Sequence, residues 1–598
     1  MKKIFKFILT IAFFLNFHAF ANEIEVIELH QSKSLDQLVF ESINNTTEIS
    51  INENDINEEN ISISDNNNSI EENENSTSEM DGDIFIEETN INEINFWESI
   101  DLEDADFYLS NSSNITSKIL YEEFLELIMT IDLDYNIKKN RDLFYLVVSY
   151  LYKNGEISKA NKLINQRNFD SDEKISFYKN IEMNYLLSTY NLEKVCEYAE
   201  NISDNVKFEQ FFLEKVYIFC LILNNQLIEA DLQNSIMIET EKKSDDAFQK
   251  LYEYIVDTEN KNNEYVSFKE LDNSNLIFLY SAMLRIAELP LNRDFLELDY
   301  KNLAIPIILN NSSPISLRLQ AANKSYMNDV ISIESLAALY RSVDFESKQF
   351  NNPTETIEML SNNTELSMAF LYQLMNIQIF PTERLEALIS FWEYAEKKNL
   401  SNIAFGLTED ITKSLELSSE NSEFGIWIAN AHIFYENYDE ANKWLSLYNQ
   451  LNGDTEQSIE LSILINIYTA DTIETIVKNI ELNLIKLNKF QNINNNELFY
   501  IILNVLSEDE NLHDVNYSTF YDDRPIPTLF ILNAIKQNII DQNKKNFLLL
   551  STISLNNKSW IEIHPEYLKL LLNGFKDYKD ISFVKKIILD IFKSYDIL

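Results

Sequence analysis

The chain has 598 residues, with 97 Asp and Glu against 48 Lys and Arg, and its formal net charge at pH 7 is −49. This charge argues against binding to nucleic acid, which depends on Lys and Arg that neutralise phosphates, and against adhesion to an anionic membrane surface. Only six Gly and eight Pro are present, whereas tight hairpins and phosphate-binding loops depend on Gly, so β-sandwiches, nucleotide-binding folds and P-loops are disfavoured.

The first 21 residues have the features of a secretory signal peptide. Three lysines precede an apolar stretch from 7 to 17, and Ala19 and Ala21 supply the small residues that a signal peptidase reads. We expect cleavage between Ala21 and Asn22, and a periplasmic or exported protein. The apolar stretch is short for a bilayer span, so an uncleaved anchor is the less favoured alternative. No later segment is long and apolar enough to predict a membrane span in the mature chain.

Residues 22–110 form an acidic leader whose composition differs from that of the rest of the chain. They contain 25 Asp and Glu residues and one Lys, and such a segment buries too little apolar surface to offset chain entropy. We predict that it is disordered. It is either a solvated spacer or an acidic arm that engages a basic partner or the protein's own groove. Two apolar pieces, 84–86 and 96–97, fit either a short docking segment or, equally, the start of the folded part.

Three segments between 141 and 240 repeat at a spacing of 35 residues. Each has a leucine, a turn four residues later, and a small or slim apolar residue five positions after the turn; the three sets are Leu151, Gly155, Ala160; Leu186, Tyr190, Val195; and Leu221, Asn225, Ala230. A period near 34 with this pattern is typical of a helix–turn–helix repeat. Helical repeats are therefore predicted over 118–240, with irregular helical hairpins as the alternative.

The segment 141–240 resembles the tetratricopeptide family, which implies an α-solenoid that binds proteins or peptides. The segment from Pro314 to Phe345, with R-L-Q-A-A and S-L-A-A-L-Y-R-S-V-D-F, resembles uncharacterised secreted bacterial helical proteins, and Leu568 to Ile588 resembles their final hairpin. This second resemblance implies no activity.

The rest of the chain continues the helical pattern after a break. Residues 241–270 are charged and rich in Asn, which predicts an irregular insertion, and helical hairpins are expected over 271–598. The repeat pattern returns near Ala441, which follows a turn at Asn437 and Tyr438. The predicted fold is all-α: an α-solenoid of tetratricopeptide-like hairpins with a period of about 35, preceded by a disordered acidic segment.

Two cysteines, Cys196 and Cys220, fall on helices that the repeat register makes packed neighbours. A disulfide would join two repeats in an oxidising compartment. Two buried free thiols are the favoured alternative. A redox role is disfavoured because the chain has no C-x-x-C motif.

The histidines do not form a convincing chemical site. His432 fits a structural position inside a hairpin, and His564 precedes Pro565 as a helix-entry residue. His513 lies near Asp522 in a loop where a cation could bind, but one imidazole with scattered carboxylates is a weak signal. We predict no catalytic residue, no metal and no cofactor.

The function predicted from these features is that of a periplasmic or secreted helical-repeat scaffold or adaptor. Its expected partner is a protein of the cell envelope, and the negative charge favours a basic one. A self-associating structural protein of the envelope is the main alternative. An enzyme acting on cell-wall glycan is less favoured, because abundant carboxylates alone do not make a general acid and base.

Overall fold

The computed structural model describes residues 96–597 except for 168–172, 203–207, 209–210, 241–244, 258–274, 471, 491–495, 508–521 and 596. Within these ranges the protein has thirty α-helices and no β-strand, so the all-α prediction is confirmed there. The predicted signal peptide, its cleavage site at Ala21 and Asn22, and residues 22–95 of the leader lie outside the described residues. None of the described helices has both the length and the hydrophobicity that crossing a membrane requires.

The first eleven helices are α1 Phe96–Ser99, α2 Leu102–Ser110, α3 Lys118–Met129, α4 Lys138–Lys153, α5 Ile157–Asn165, α6 Ile175–Ser188, α7 Leu192–Asn201, α8 Phe212–Leu223, α9 Leu227–Thr240, α10 Asp246–Val256 and α11 Asn275–Ile286. The next ten are α12 Arg293–Leu298, α13 Tyr300–Leu309, α14 Ile315–Met327, α15 Ile333–Arg341, α16 Ser347–Asn351, α17 Pro353–Leu360, α18 Thr364–Ile377, α19 Pro381–Glu396, α20 Ser401–Leu407 and α21 Glu409–Lys413. The last nine are α22 Gly425–Phe434, α23 Tyr438–Asn452, α24 Glu456–Thr469, α25 Ile473–Leu487, α26 Asn496–Leu506, α27 Leu529–Ile540, α28 Lys544–Ser554, α29 Pro565–Tyr578 and α30 Ile581–Ser594.

Polar side chains at the N-cap position start several of these helices. The side chains of Ser117, Asp245, Asn437 and Asp580 each accept a hydrogen bond from a backbone N–H in the first turn of α3, α10, α23 and α30. Such caps satisfy an N–H that the helix itself leaves unpaired, and each contributes about 1 kcal/mol. Local sequence therefore sets where these helices begin.

The three turns at the 35-residue spacing share one backbone geometry. Gly155, Tyr190 and Asn225 all lie in the left-handed region, with φ of 77°, 63° and 59°. In each turn the next residue's N–H donates to the leucine carbonyl five positions earlier, at 2.8, 3.0 and 2.8 Å. This is the Schellman arrangement that ends a helix and reverses the chain. The turn at Glu436 has the same geometry, with φ of 57° and a 2.9 Å bond from the next N–H to the His432 carbonyl.

The small residues after these turns lie where two helices meet. Ala160, Val195, Ala230 and Ala441 have no exposed surface, and Leu151 is equally buried. Of the other two repeat leucines, Leu221 is buried and Leu186 is half-buried. A short side chain at such a position lets the backbones of paired helices approach closely.

Most helices pack on their neighbours in the chain. The pairs α4 and α5, α8 and α9, α18 and α19, α22 and α23, and α24 and α25 are examples of such hairpins. Some contacts join helices that are far apart in the chain; α11, for example, returns to pack against α6. The described core is therefore built mainly from local helical pairs.

The first and last described elements are in contact. Helix α3 packs against α28 and α30, and α2 packs against α28. The Ser117 hydroxyl donates to Asp590 Oδ2 at 2.6 Å, and Trp560 Nε1 donates to the same oxygen at 2.8 Å. Lys579 Nζ lies 2.7 Å from Glu123 Oε1. The last helices of the described chain therefore pack against α2 and α3.

The predicted end of the leader at residue 110 is wrong. Residues 96–110 form α1 and α2, and Phe96, Trp97, Ala105 and Leu109 are buried. The acidic residues of α2 are exposed, whereas Ala105 and Leu109 are buried, and the helix packs against α4 and α28. Of the two alternatives for 96–97, the structure shows the start of the folded part.

The predicted irregular insertion at 241–270 is also wrong in part. Residues 246–256 form α10, whose Phe248 and Leu251 are fully buried. The average composition of the whole segment is charged and rich in Asn, so it did not indicate the short amphipathic helix that follows the N-cap Asp245. Residues 258–270 lie outside the described residues.

Candidate functional site

A cleft of about 810 Å³ lies where three parts of the chain meet. Its walls are residues 113–118 ahead of α3, the turn between α4 and α5, and the segment 297–302 that joins α12 to α13. The end of α14 completes the rim at Met327 and Asn328. The turn that connects the two helices of the first repeat hairpin therefore opens onto this cleft.

A buried carboxylate organises one wall of the cleft. Glu156 Oε1 accepts hydrogen bonds from Lys301 Nζ at 2.7 Å and from the Tyr121 hydroxyl at 2.8 Å, and its Oε2 lies 2.7 Å from Lys159 Nζ. Burial would raise the pKa of Glu156, but Lys159 and Lys301 outweigh it and lower the pKa to about 2. Burial and the neighbouring Glu156 raise the pKa of Tyr121 far above its usual range. At neutral pH Glu156 is therefore ionised and Tyr121 is neutral.

The turn at Gly155 is tied to the opposite wall. Asn302 Nδ2 donates to the Gly155 carbonyl at 2.9 Å and to Asp299 Oδ2 at 2.7 Å. A Cβ at Gly155 would lie 3.1 Å from the Cδ of Lys301. Burial raises the pKa of Asp299, although its bonds with Asn302 and the charge of Lys301 act against this. The close approach and the left-handed φ both favour Gly here.

The rim of the cleft combines cations with exposed apolar side chains. Lys153 is exposed and makes no described ion pair, while Lys118 pairs with Asp329. Leu298 is 48% exposed and Met327 is 46% exposed. The exposed carboxylate of Glu297 also lines the cleft, so its rim is mixed in charge.

A second surface of interest is the outer face of α9. This helix buries only Ala230, Asn234 and Met237 of its fourteen residues. Three apolar side chains follow one another at intervals of four residues on the opposite side: Ile228, Leu232 and Ile236 are 83, 59 and 47% exposed. Residues four apart lie on the same side of an α-helix, so these three form a continuous apolar stripe.

Acidic residues flank this stripe. Glu229, Asp231 and Glu239 are the only charged residues of α9, and all three are exposed. The stripe therefore has carboxylates on either side of an apolar centre. A complementary surface would have the opposite pattern, with apolar residues between cations.

The structure joins Cys196 and Cys220 in a disulfide, with an S–S distance of 2.07 Å. The bond links α7 to α8 across a sequence separation of 24 residues. Of the two alternatives that the sequence left open, the described geometry is the bonded pair rather than two free thiols.

The remaining sequence candidates have structural roles where they are described. His432 is buried, and burial lowers its pKa. His564 Nδ1 accepts the Glu566 N–H at 3.2 Å, so it caps α29. Asp522 is held by the Arg524 guanidinium, which lowers the pKa of the carboxyl to about 2, while His513 lies outside the described residues. In the described part of the chain, no three His, Cys, Asp or Glu side chains are placed to hold a metal ion.

No family model, curated protein or solved structure matches the chain. The resemblance of 141–240 to the tetratricopeptide family therefore stays a prediction. What these surfaces bind has to follow from their own shape and charge.

Proposed function

We propose that the mature protein is a helical-repeat scaffold of the bacterial cell envelope that binds a protein partner through the outer face of α9. The observation that carries this proposal is the stripe of Ile228, Leu232 and Ile236, which stays exposed on a helix that contributes little to the core. Contiguous apolar residues with a polar rim mark sites of protein association.

The charge around the stripe favours a basic partner. Three carboxylates border it within α9, and the whole chain carries −49. A basic amphipathic segment of another protein would cover the apolar centre and pair with the rim. Two copies of this protein would instead bring like charges together, which disfavours self-association at this face.

The rest of the proposal draws on the sequence and the fold. The signal features predicted at the N-terminus favour a location in the envelope or outside the cell. We propose that the helical hairpins stack into an α-solenoid, a fold whose extended surface suits binding rather than catalysis. We propose no reaction for it.

The test uses crosslinking in intact cells, followed by affinity purification of the full mature chain. The compared proteins are the natural chain, Leu232→Asp, and Ile379→Asp, which introduces the same change at another exposed apolar position, 85% exposed. Both substitutions are on the surface and should change folding stability by less than about 0.5 kcal/mol.

We expect to recover one basic envelope protein with the natural chain and with the Ile379→Asp variant. The Leu232→Asp variant should not recover it. Losing the apolar contact and burying a carboxylate should weaken binding by at least about tenfold. Equal recovery from all three proteins would contradict the assignment to α9. Recovery of only the protein itself would favour self-association.

A further inference from the structure

The last four helices of the chain, α27–α30, differ in charge from the rest of the protein. Residues 522–598 contain eleven Lys and Arg and nine Asp and Glu, a net charge of +2, whereas the whole chain carries −49. Two copies that meet through a strongly negative surface repel each other. The region of α27–α30 as a whole does not impose this repulsion on a second copy.

Within this region, α27 has an apolar face that no described part of the chain covers. The helix packs against α28 and α29 but buries only Ile535 of its twelve residues. Leu529, Phe530 and Ile540 are 76, 77 and 73% exposed, and Ile526, just ahead of the helix, is 51% exposed. Exposed apolar residues that cluster in this way mark a surface of association.

The exposed side chains lie on one side of the helix. Intervals of three or four residues, the spacing of one helical face, separate the exposed residues Leu529, Phe530, Asn533, Gln537 and Ile540. The face is therefore apolar at both ends and polar in the middle. Two copies of such a face complement each other, as a dimer with two-fold symmetry requires.

The N-terminal end of this face is negative. Asp523 is exposed there, and no ion pair is described for it. The guanidinium of Arg524 is shared between Asp522 and Glu497, at 2.5 and 2.7 Å. One cation therefore stands against three carboxylates at this end.

The C-terminal half of the face is positive. It carries Lys536, Lys544 and Lys545 against a single carboxylate, Asp541. In a parallel pair of helices each charged end would face the same end of the second copy. An antiparallel pair instead places the negative end of one copy beside the positive end of the other, so electrostatic complementarity favours the antiparallel direction.

We propose that two copies of the mature protein associate through α27 in an antiparallel arrangement with two-fold symmetry. An axis at the level of Ile535 brings Phe530 of one copy against Ile540 of the other, and Asn533 beside Gln537. The contact leaves α9 of both copies open, so the dimer would present two partner sites. It uses a different surface from α9, so either proposal can fail while the other stands.

The contact is small, which sets its expected strength. Helix α27 has twelve residues and is about 18 Å long. One helix from each copy covers less than the roughly 800 Å² per partner of a standard stable interface. We therefore expect a reversible dimer with a Kd on the order of micromolar.

The first test is sedimentation equilibrium of the full mature chain between about 0.1 and about 100 μM, on either side of the expected Kd. Phe530→Asp should weaken the dimer by about a hundredfold, because each of the two copies loses an apolar contact worth about tenfold. Phe380→Asp makes the same change at a residue that is 64% exposed on another helix, and should leave the equilibrium unchanged. Leu232→Asp on α9 should also leave it unchanged.

Ile540→Asp gives an independent check at the other end of the face. It should weaken the dimer to a similar extent as Phe530→Asp. A natural chain that stays monomeric over the whole range would overturn the proposal. So would a dimer that both α27 variants keep, or one that Phe380→Asp weakens equally.

Cysteine crosslinking tests the antiparallel direction. The Phe530→Cys and Ile540→Cys variants are treated with a short bismaleimide, each alone and as a mixture, while the natural cysteines are held in their disulfide. We expect crosslinked dimer from the mixture and little from either variant alone, because the two copies of residue 530 would be about 15 Å apart along the helices. Crosslinking of each variant only with itself would mean a parallel pair, and no crosslink from the mixture would also contradict the proposed contact.

Discussion

A buried ion pair joins α8 to the start of α10. Lys215 is only 1% exposed, and its Nζ lies 2.8 Å from Asp245 Oδ2. Asp245 also accepts hydrogen bonds from the Tyr280 hydroxyl and from the Phe248 N–H, the latter at 3.1 Å. One carboxylate therefore ties three helices together, so breaking the pair should loosen all of them.

The perturbation is Lys215→Met, which keeps the length of the side chain and removes its charge. Breaking a buried pair typically costs 3–5 kcal/mol because the remaining charge is uncompensated. Asp245 keeps its bonds from Tyr280 and Phe248, so we expect a cost near the lower end, about 3 kcal/mol. This cost corresponds to a roughly 150-fold increase in the equilibrium constant for local opening of these helices.

Hydrogen exchange of backbone amides in α8 and α10, measured under native conditions, reports that equilibrium directly. The control is Lys413→Met, which breaks the exposed pair with Glu409, whose side chains are 50 and 40% exposed. An exposed i,i+4 pair is worth only about 0.3–0.5 kcal/mol. An increase of less than about threefold in the Lys215 variant would refute the reasoning.

The same pair predicts a pH dependence. Burial would raise the pKa of Asp245, but the bonds from Lys215, Tyr280 and Phe248 outweigh it and lower the pKa. Because the pKa of Asp245 is lower in the folded protein than in the unfolded chain, where it is near 3.9, its ionised form stabilises the fold at pH above the unfolded pKa. This stabilisation is lost as the pH falls through the folded pKa. The difference in free energy of unfolding between the natural chain and the Lys215→Met variant should therefore become smaller below about pH 4.

Three further predictions concern covalent and backbone features. Replacing both half-cystines by Ala should cost about 3 kcal/mol, because the disulfide closes a loop of 24 residues, and thiol titration of the unfolded natural chain should find no free thiol. Gly155→Ala should lower the melting temperature more than Gly453→Ala, since both have positive φ but only the first Cβ would contact Lys301. Removing residues 22–95 should leave the melting transition nearly unchanged, whereas removing 96–110 as well should lower it, because the buried residues of α1 and α2 would be lost.

Local sequence was enough to predict much of the fold. The helical character, the start of α3 at Lys118 and the turns at Gly155 and Asn225 follow from periodicity and from residues that tolerate a left-handed conformation. The similar turns at Glu288 and Glu436, with φ of 56° and 57°, carry no such signal, because Glu has no intrinsic preference for that conformation.

The candidate sites depend on contacts that no local pattern contains. Glu156 and Lys301 are 145 residues apart in the chain, and Ser117 and Asp590 are 473 apart. Nothing in the neighbourhood of either residue indicates its partner, so neither the cleft nor the contact between the first and last helices could be predicted. The stripe on α9 was also missed, because periodic apolar residues predict a buried face and do not show which face stays exposed.

The most direct test of the proposed function is a photo-crosslinking amino acid at position 232 of the mature chain in living cells, with the crosslinked residues sequenced. The proposal predicts an adduct between the stripe on α9 and a basic amphipathic segment of one envelope protein. An adduct only with another copy of this chain, or none at a level above that from position 379, would contradict it.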